Sequence, residues 1–323
     1  EIRTAASWGV LSGVTTNPIL VTRTVLAHAD EWRDVIRQMA RSTPADQLGH
    51  AVTARVVERA ADLLLPVYKR TNGDEGYVCA QGNPNNYANV QAMIDEAVAF
   101  AALRPNIANK IPVSAEGLQA IEELTSRGIT TTCTTSFTVP QVLNIGEAFA
   151  RGLKRRSRAA ANTLIHCYAV IMAGRLDDHL RDEVTAGRGQ ASEAAITIAG
   201  LAVTKRAYKL YQERGYQSII LIGGMRGHYH VTDLVGGRMV LTIAPAMQSA
   251  ILERGYSLRQ TIGEPVKPEL MEEISNVPDF RRAYEPDGMK PAEFAGFGSF
   301  VKTQGQFIDS YQKLNDFIQE ALA

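Results

Sequence analysis

The chain has 323 residues, 45% hydrophobic and 21% charged, with 34 Lys and Arg against 34 Asp and Glu. These fractions exclude disordered and fibrous classes, and a formal charge of zero argues against a broad nucleic-acid-binding face. No run reaches ~18 apolar residues, so no transmembrane helix is expected. A prior of roughly 150 residues per domain suggests two domains, but α/β barrels run longer as one unit. No basic segment followed by an apolar stretch opens the sequence, so no signal peptide is read there. Cys79, Cys133 and Cys167 sit in or beside apolar strand-like runs. Three thiols at spacings that match no metal knuckle are expected to be buried and reduced in a cytoplasmic protein.

In chain order, residues 2–8 read as the tail of a helix with nothing before it. Short β-rich runs follow at 13–16, 76–81, 107–111, 129–137, 166–172, 217–222 and 239–243. Between them, apolar residues recur at helical spacing over 20–41, 88–102, 115–127, 140–154, 193–214 and 245–253. In 115–127, Leu118, Ile121 and Leu124 form the stripe, Ser114 is the N-cap and Gly128 ends the helix. Residues 151–158 hold five basic side chains, expected as a solvated helix end, and lead into three alanines. Residues 256–300 are rich in Pro and Gly and read as loops with short helices. Residues 307–322 form an amphipathic tail helix.

Strands alternating with helices imply βαβ units and a parallel sheet. Seven strands favour a (β/α)8 barrel whose first strand lies before residue 1, with 1–323 as one domain and 256–323 as its extension. A doubly wound open sheet is the alternative.

Of nine lysines, Lys110 alone lies at the C-terminal end of an apolar strand, which in a barrel faces the active site. Desolvation there would lower its pKa and suit it to Schiff-base chemistry. A lysine snorkelling to solvent is an equally good reading of the same position. Other expected strand ends carry Asn17, Gln81, the hydroxyl run 131–136 that includes Thr134 and Ser136, Arg175 and Arg226. Two arginines at successive strand ends suit a phosphate. His228 and His230 stand two apart, but no carboxylate or Cys cluster supports a metal there. No dinucleotide fingerprint, P-loop or nucleophile elbow is present.

Three segments carry a resemblance: Ser12-Gly-Val-Thr-Thr-Asn-Pro18, Asn109-Lys-Ile-Pro-Val-Ser-Ala-Glu-Gly-Leu118 and Leu241-Thr-Ile-Ala-Pro-Ala246. In order and spacing they resemble the transaldolase family. The resemblance implies a (β/α)8 barrel, no cofactor or metal, and Lys110 as the amine that forms a Schiff base with a ketose phosphate. It further implies Asn17 beside that lysine, Thr134 at the catalytic water, and Arg175 and Arg226 on the phosphate. Gln81 falls where many transaldolases have Glu and the related fructose-6-phosphate aldolases have Gln. Ser136 is a further expected sugar contact. Family members are often dimers or larger rings, so a homo-oligomer is implied, though no residue here specifies one. Sugar phosphates are the implied partners. The sequence departs from the family pattern in four ways: no acid/base Asp precedes Asn17, Val170 and Gly224 stand where phosphate-binding hydroxyls are expected, Met172 replaces an aromatic residue, and an insert covers the basic stretch.

Overall fold

The computed structural model describes residues 11–156, 163–256 and 259–323. Its strands are β1 (Gly13–Thr15), β2 (Tyr77–Gln81), β3 (Ile107–Pro112), β4 (Thr131–Thr134), β5 (Cys167–Ile171), β6 (Ile219–Ile222) and β7 (Met239–Leu241). All neighbouring pairs are parallel and the order runs from β1 to β7 without a break. A doubly wound sheet reverses its order at a switch point. This sheet never does, so the open-sheet alternative fails and the α/β barrel stands. The sheet curls until the Oγ1 atoms of Thr15 and of Thr242, just past β7, lie 2.9 Å apart. Among the described residues β1 and β7 share no ladder, which leaves a seam between the two ends. Residues 2–8 and 157–161, expected as a helix tail and as part of the basic and alanine-rich stretch, lie outside the described residues.

The pleat sorts the strands into two faces. Val78, Ala80 and Ile107 point outward and pack with Val57, Ala61 and Leu64 of helix α3 (Leu48–Arg70) and Phe100 of α4 (Val90–Leu103). The alternate residues point inward. Cys79 Sγ reaches Thr132 Oγ1 at 3.2 Å, across an intervening strand, which only the inner face of a curled sheet permits. Helices open where the sequence supplies caps. Asn17 caps α1 (Pro18–Ala27), Ser114 caps α5 (Ala115–Ser126) and Thr138 caps α6 (Val139–Arg155), each side chain accepting a backbone N–H of the first turn.

The expected helix 20–41 is two helices, α1 and α2 (Ala29–Met39), separated at His28. The break lets Trp32 and Ile36 reach the tail helix, whose Phe317 and Ile318 belong to the same core cluster. The periodicity over 193–214 likewise divides into α8 (Glu193–Thr197) and α9 (Ala199–Arg214). Among the described residues three α-helices had no counterpart in the sequence expectations: α3, α7 (Ala173–Thr185) and the four-residue Tyr229–Thr232. Helix α3 lacks a side-chain cap and carries Pro66, so the usual boundary signals point the wrong way. The strand expected over 129–137 ends at Thr134 because Thr135 adopts φ 50° and turns the chain. Between β6 and α14 lie α10 (Tyr229–Thr232), α11 (Pro245–Arg254), α12 (Pro268–Ile274) and α13 (Pro278–Tyr284). The tail helix α14 spans Gly298–Leu322 and starts earlier than its amphipathic pattern suggested. Among the described residues no helix is long and apolar enough to cross a membrane.

Candidate active site

Register places three polar side chains side by side on the inner face: Gln81 opposite Lys110, and Lys110 opposite Thr132. All three sit near the C-terminal ends of their strands, where barrel active sites form. Lys110 Nζ donates to the Thr16 carbonyl at 2.8 Å. The next residue, Asn17, gives its Oδ1 to the Leu20 N–H at the start of α1. One backbone step therefore ties the lysine to the asparagine that the resemblance puts beside it.

Burial costs the Lys110 ammonium its hydration, and the Arg175 charge repels it, so its pKa falls to about 8. No carboxylate among the described residues bears on it. The Gln81 amide is 4% exposed and neither of its polar atoms has a partner among the described residues, an arrangement that favours a ligand or water in the barrel mouth. Thr134 is buried at the end of β4, opposite Pro112 of β3, on the same inner face as Thr132.

The Ser136 Oγ donates to the Val170 carbonyl at 2.6 Å and to the Cys133 carbonyl at 3.2 Å, and the residue is fully buried. That hydroxyl holds the exit of β4 to the end of β5, next to the left-handed turn at Thr135.

The two arginines converge. Arg175 lies in the first turn of α7, where the helix terminus favours an anion. Its Nη1 donates to Gln306 Oε1 at 2.6 Å, and its guanidinium lies 5.9 Å from the Phe307 ring centroid, so α14 holds it. Burial and the Arg226 charge lower the Arg175 pKa. Arg226 is paired to Asp178 at 2.5 Å and donates to the Gly224 carbonyl at 2.8 Å. Gly174 makes the approach possible, because a Cβ there would lie 2.5 Å from Arg226 Cγ. Lys110, Arg175 and Arg226 thus form a cationic mouth in which Asp178 is the counter-ion to Arg226.

Sequence reasoning overlooked four contributors. Thr132 was legible, being two residues before Thr134 on one face. Asp178, Gln306 and the Thr16 carbonyl had no local signal, because their partners are distant in the chain. Of the histidine pair, His228 Nδ1 lies 2.7 Å from Tyr256 Oη, and His230 is buried against Asp177. The three cysteines are free and buried, with Cys133 and Cys167 sulfurs 3.6 Å apart. In the basic stretch, Arg151 and Arg155 pair with Glu122 and Glu123 on the neighbouring α5, as a solvated helix end would.

The fold and site define a parallel α/β barrel that presents a desolvated lysine to a cationic mouth. Residues 1–285 match the sequence model of the transaldolase/fructose-6-phosphate aldolase family, and the chain belongs to that family. It is similar to a transaldolase of Thiobacillus denitrificans, 27% identical over 273 residues that cover 77% of this chain and 76% of the relative. A transaldolase of Thermobifida fusca is 31% identical over 208 residues, 62% of this chain and 55% of that protein. One of Trichodesmium erythraeum is 23% identical across 94% of this chain and 88% of its own length.

Proposed function

We propose that the protein is a transaldolase that transfers a dihydroxyacetone unit between sugar phosphates through a Schiff base on Lys110. The observation that carries this reading is the placement of Lys110 on the inner face of the barrel, in register with Gln81 and Thr132 and bonded to the Thr16 carbonyl; desolvation there lowers its pKa to about 8, which makes the neutral amine accessible near neutral pH. The amine adds to the C2 carbonyl of a ketose phosphate, and loss of water gives an iminium. The iminium draws the electron pair of the C3–C4 bond as a base takes the C4 hydroxyl proton, which releases an aldose phosphate. The enamine left on Lys110 then attacks the carbonyl carbon of an acceptor aldehyde, and hydrolysis frees the new ketose. The electron sink is the iminium, so the scheme calls for no metal or cofactor.

On this reading Asn17, Gln81, Thr132 and Thr134 hydrogen-bond the dihydroxyacetone unit and the catalytic water. Arg175 and Arg226 take the phosphate, aided by the first turn of α7. The donor and acceptor pair is sedoheptulose 7-phosphate and glyceraldehyde 3-phosphate. Residues 1–323 act as one barrel with 256–323 as its extension, in the cytoplasm and as a homo-oligomer.

Gln81 supports a second reading, a fructose-6-phosphate-type aldolase or a transaldolase for another sugar, while Met172 speaks against simple aldol cleavage. The lack of any carboxylate bearing on Lys110 among the described residues supports a third, a barrel used only for binding. Borohydride reduction with fructose 6-phosphate, followed by peptide mass spectrometry, tests all three. A reduced dihydroxyacetone adduct on Lys110 supports the Schiff-base enzyme, and adding an aldehyde acceptor distinguishes transfer from cleavage. An unmodified Lys110 under conditions that label a working transaldolase counts against the proposal.

A further inference from the structure

We infer that His230, buried against Asp177, is a positioning residue for Arg226 that sets the spacing of the two phosphate-binding arginines; this rests on the phosphate role proposed above. The backbone N–H of Arg226 donates to His230 Nδ1 at 3.2 Å. An accepting Nδ1 puts the ring proton on Nε2. That atom faces Asp177 Oδ2 at 3.4 Å, with His230 0% and Asp177 1% exposed on their side chains. Neither Nε2 nor Oδ2 makes a hydrogen bond among the described residues, so the contact between them is one of packing and charge, and burial raises the Asp177 pKa. The second oxygen of Asp177 accepts the Gly200 N–H at 2.7 Å, which fixes the carboxylate to the first turn of α9.

Asp177 and Asp178 are consecutive on α7 and therefore point in different directions. Asp177 packs behind His230, which accepts the Arg226 backbone N–H, and Asp178 pairs with the Arg226 guanidinium. Arg175 stands on the same helix, two residues before Asp177. Helix α7 thus carries one arginine and both carboxylates that back the other. The loop between β6 and α10 has Gly224 where a hydroxyl could have oriented an anion, and Gly224 itself adopts φ 65°. A loop with that freedom needs an external hold if its arginine is to stay in place. Burial and the Arg226 charge push the His230 pKa down to about 4, so the ring is neutral at neutral pH, and the Arg226 N–H selects its tautomer.

The test compares half-saturating concentrations for borohydride inactivation by fructose 6-phosphate and by dihydroxyacetone, which needs Lys110 but no phosphate site. His230→Phe removes both contacts at similar volume. It is expected to raise the value for fructose 6-phosphate by roughly tenfold, the worth of one hydrogen bond, and to leave that for dihydroxyacetone unchanged. His230→Asn, whose amide oxygen replaces Nδ1, should recover part of the preference. Should His230→Phe fail to fold, Asp177→Asn gives the same comparison with the volume preserved. Equal effects on both ligands, no effect on either, or no recovery in a folded His230→Asn would overturn the inference. Arg226→Ala separates the two levels of the argument. If it abolishes the preference while His230→Phe does not, only the positioning role falls; if it too leaves the preference intact, the phosphate role falls.

Discussion

The Lys110 amine and the Thr16 carbonyl are 2.8 Å apart, which joins the third strand to the exit of the first. That bond fixes where the amine stands, and the barrel around it decides when the amine is neutral.

Since the Lys110 pKa lies at about 8 rather than 10.5, the reactive neutral form gains tenfold per pH unit up to that point. The rate of Schiff-base trapping at low substrate should therefore rise through pH 6–8 and level off above it. Arg175 contributes part of the lowering, so Arg175→Gln should move the inflection upward. An inflection that stays put or moves down would remove the electrostatic link between the two residues.

Lys110→Met should abolish trapping while the fold is kept. Below pH 8 the half-buried, desolvated ammonium opposes folding, and methionine removes that cost. Its midpoint of thermal unfolding at pH 7 is expected to equal or exceed that of the wild type. Retained trapping in the folded variant would exclude Lys110 as the nucleophile.

Glu96 on α4 holds the loop after β2, accepting from the Asn83 N–H and the Asn86 amide. Burial raises its pKa from 4.5 to about 7, even against those hydrogen bonds. The folded state thus keeps a proton that the unfolded state loses. Its contribution to stability is complete below pH 4.5 and disappears as the pH rises through 7, a slope of at most about 1.4 kcal/mol per pH unit. Glu96→Gln should remove this part of the slope in urea titrations at pH 4.5–7, and an unchanged slope would contradict it.

The turn at Thr135 is clasped by Gln141, whose Nε2 donates to the carbonyls of Val113 and Thr135 and whose Oε1 accepts the Phe137 N–H. Gln141→Leu leaves these buried groups without partners and should cost about 2–4 kcal/mol in chemical denaturation. Thr135→Gly relieves a left-handed β-branched residue and should be neutral or stabilising by up to about 1 kcal/mol. A loss well above 1 kcal/mol for Thr135→Gly would mean that the Thr135 hydroxyl bond to the Thr134 carbonyl outweighs the strain.

Much of the site was legible because barrel chemistry sits at strand ends, and strand ends can be read from apolar runs. Lys110 and Gln81 were found in this way, and the structure sets them in register. The main-chain bonds of the Ser136 hydroxyl were not legible: the apolar and hydroxyl run continues past Thr134, and nothing local announces the left-handed turn at Thr135.

The sequence by itself determined the alternation of strands and helices, the capped helix starts and the residues near the strand ends, since these depend on neighbours within a few positions. Only the tertiary structure decided the rest. The pKa of Lys110, the hold of α14 on Arg175 and the bond of His230 to the Arg226 backbone depend on burial and on contacts between distant segments. The helix α3 also belongs here, because the packing of Leu64 and Val57 against β2 and β3 outweighs its uncapped start and its proline.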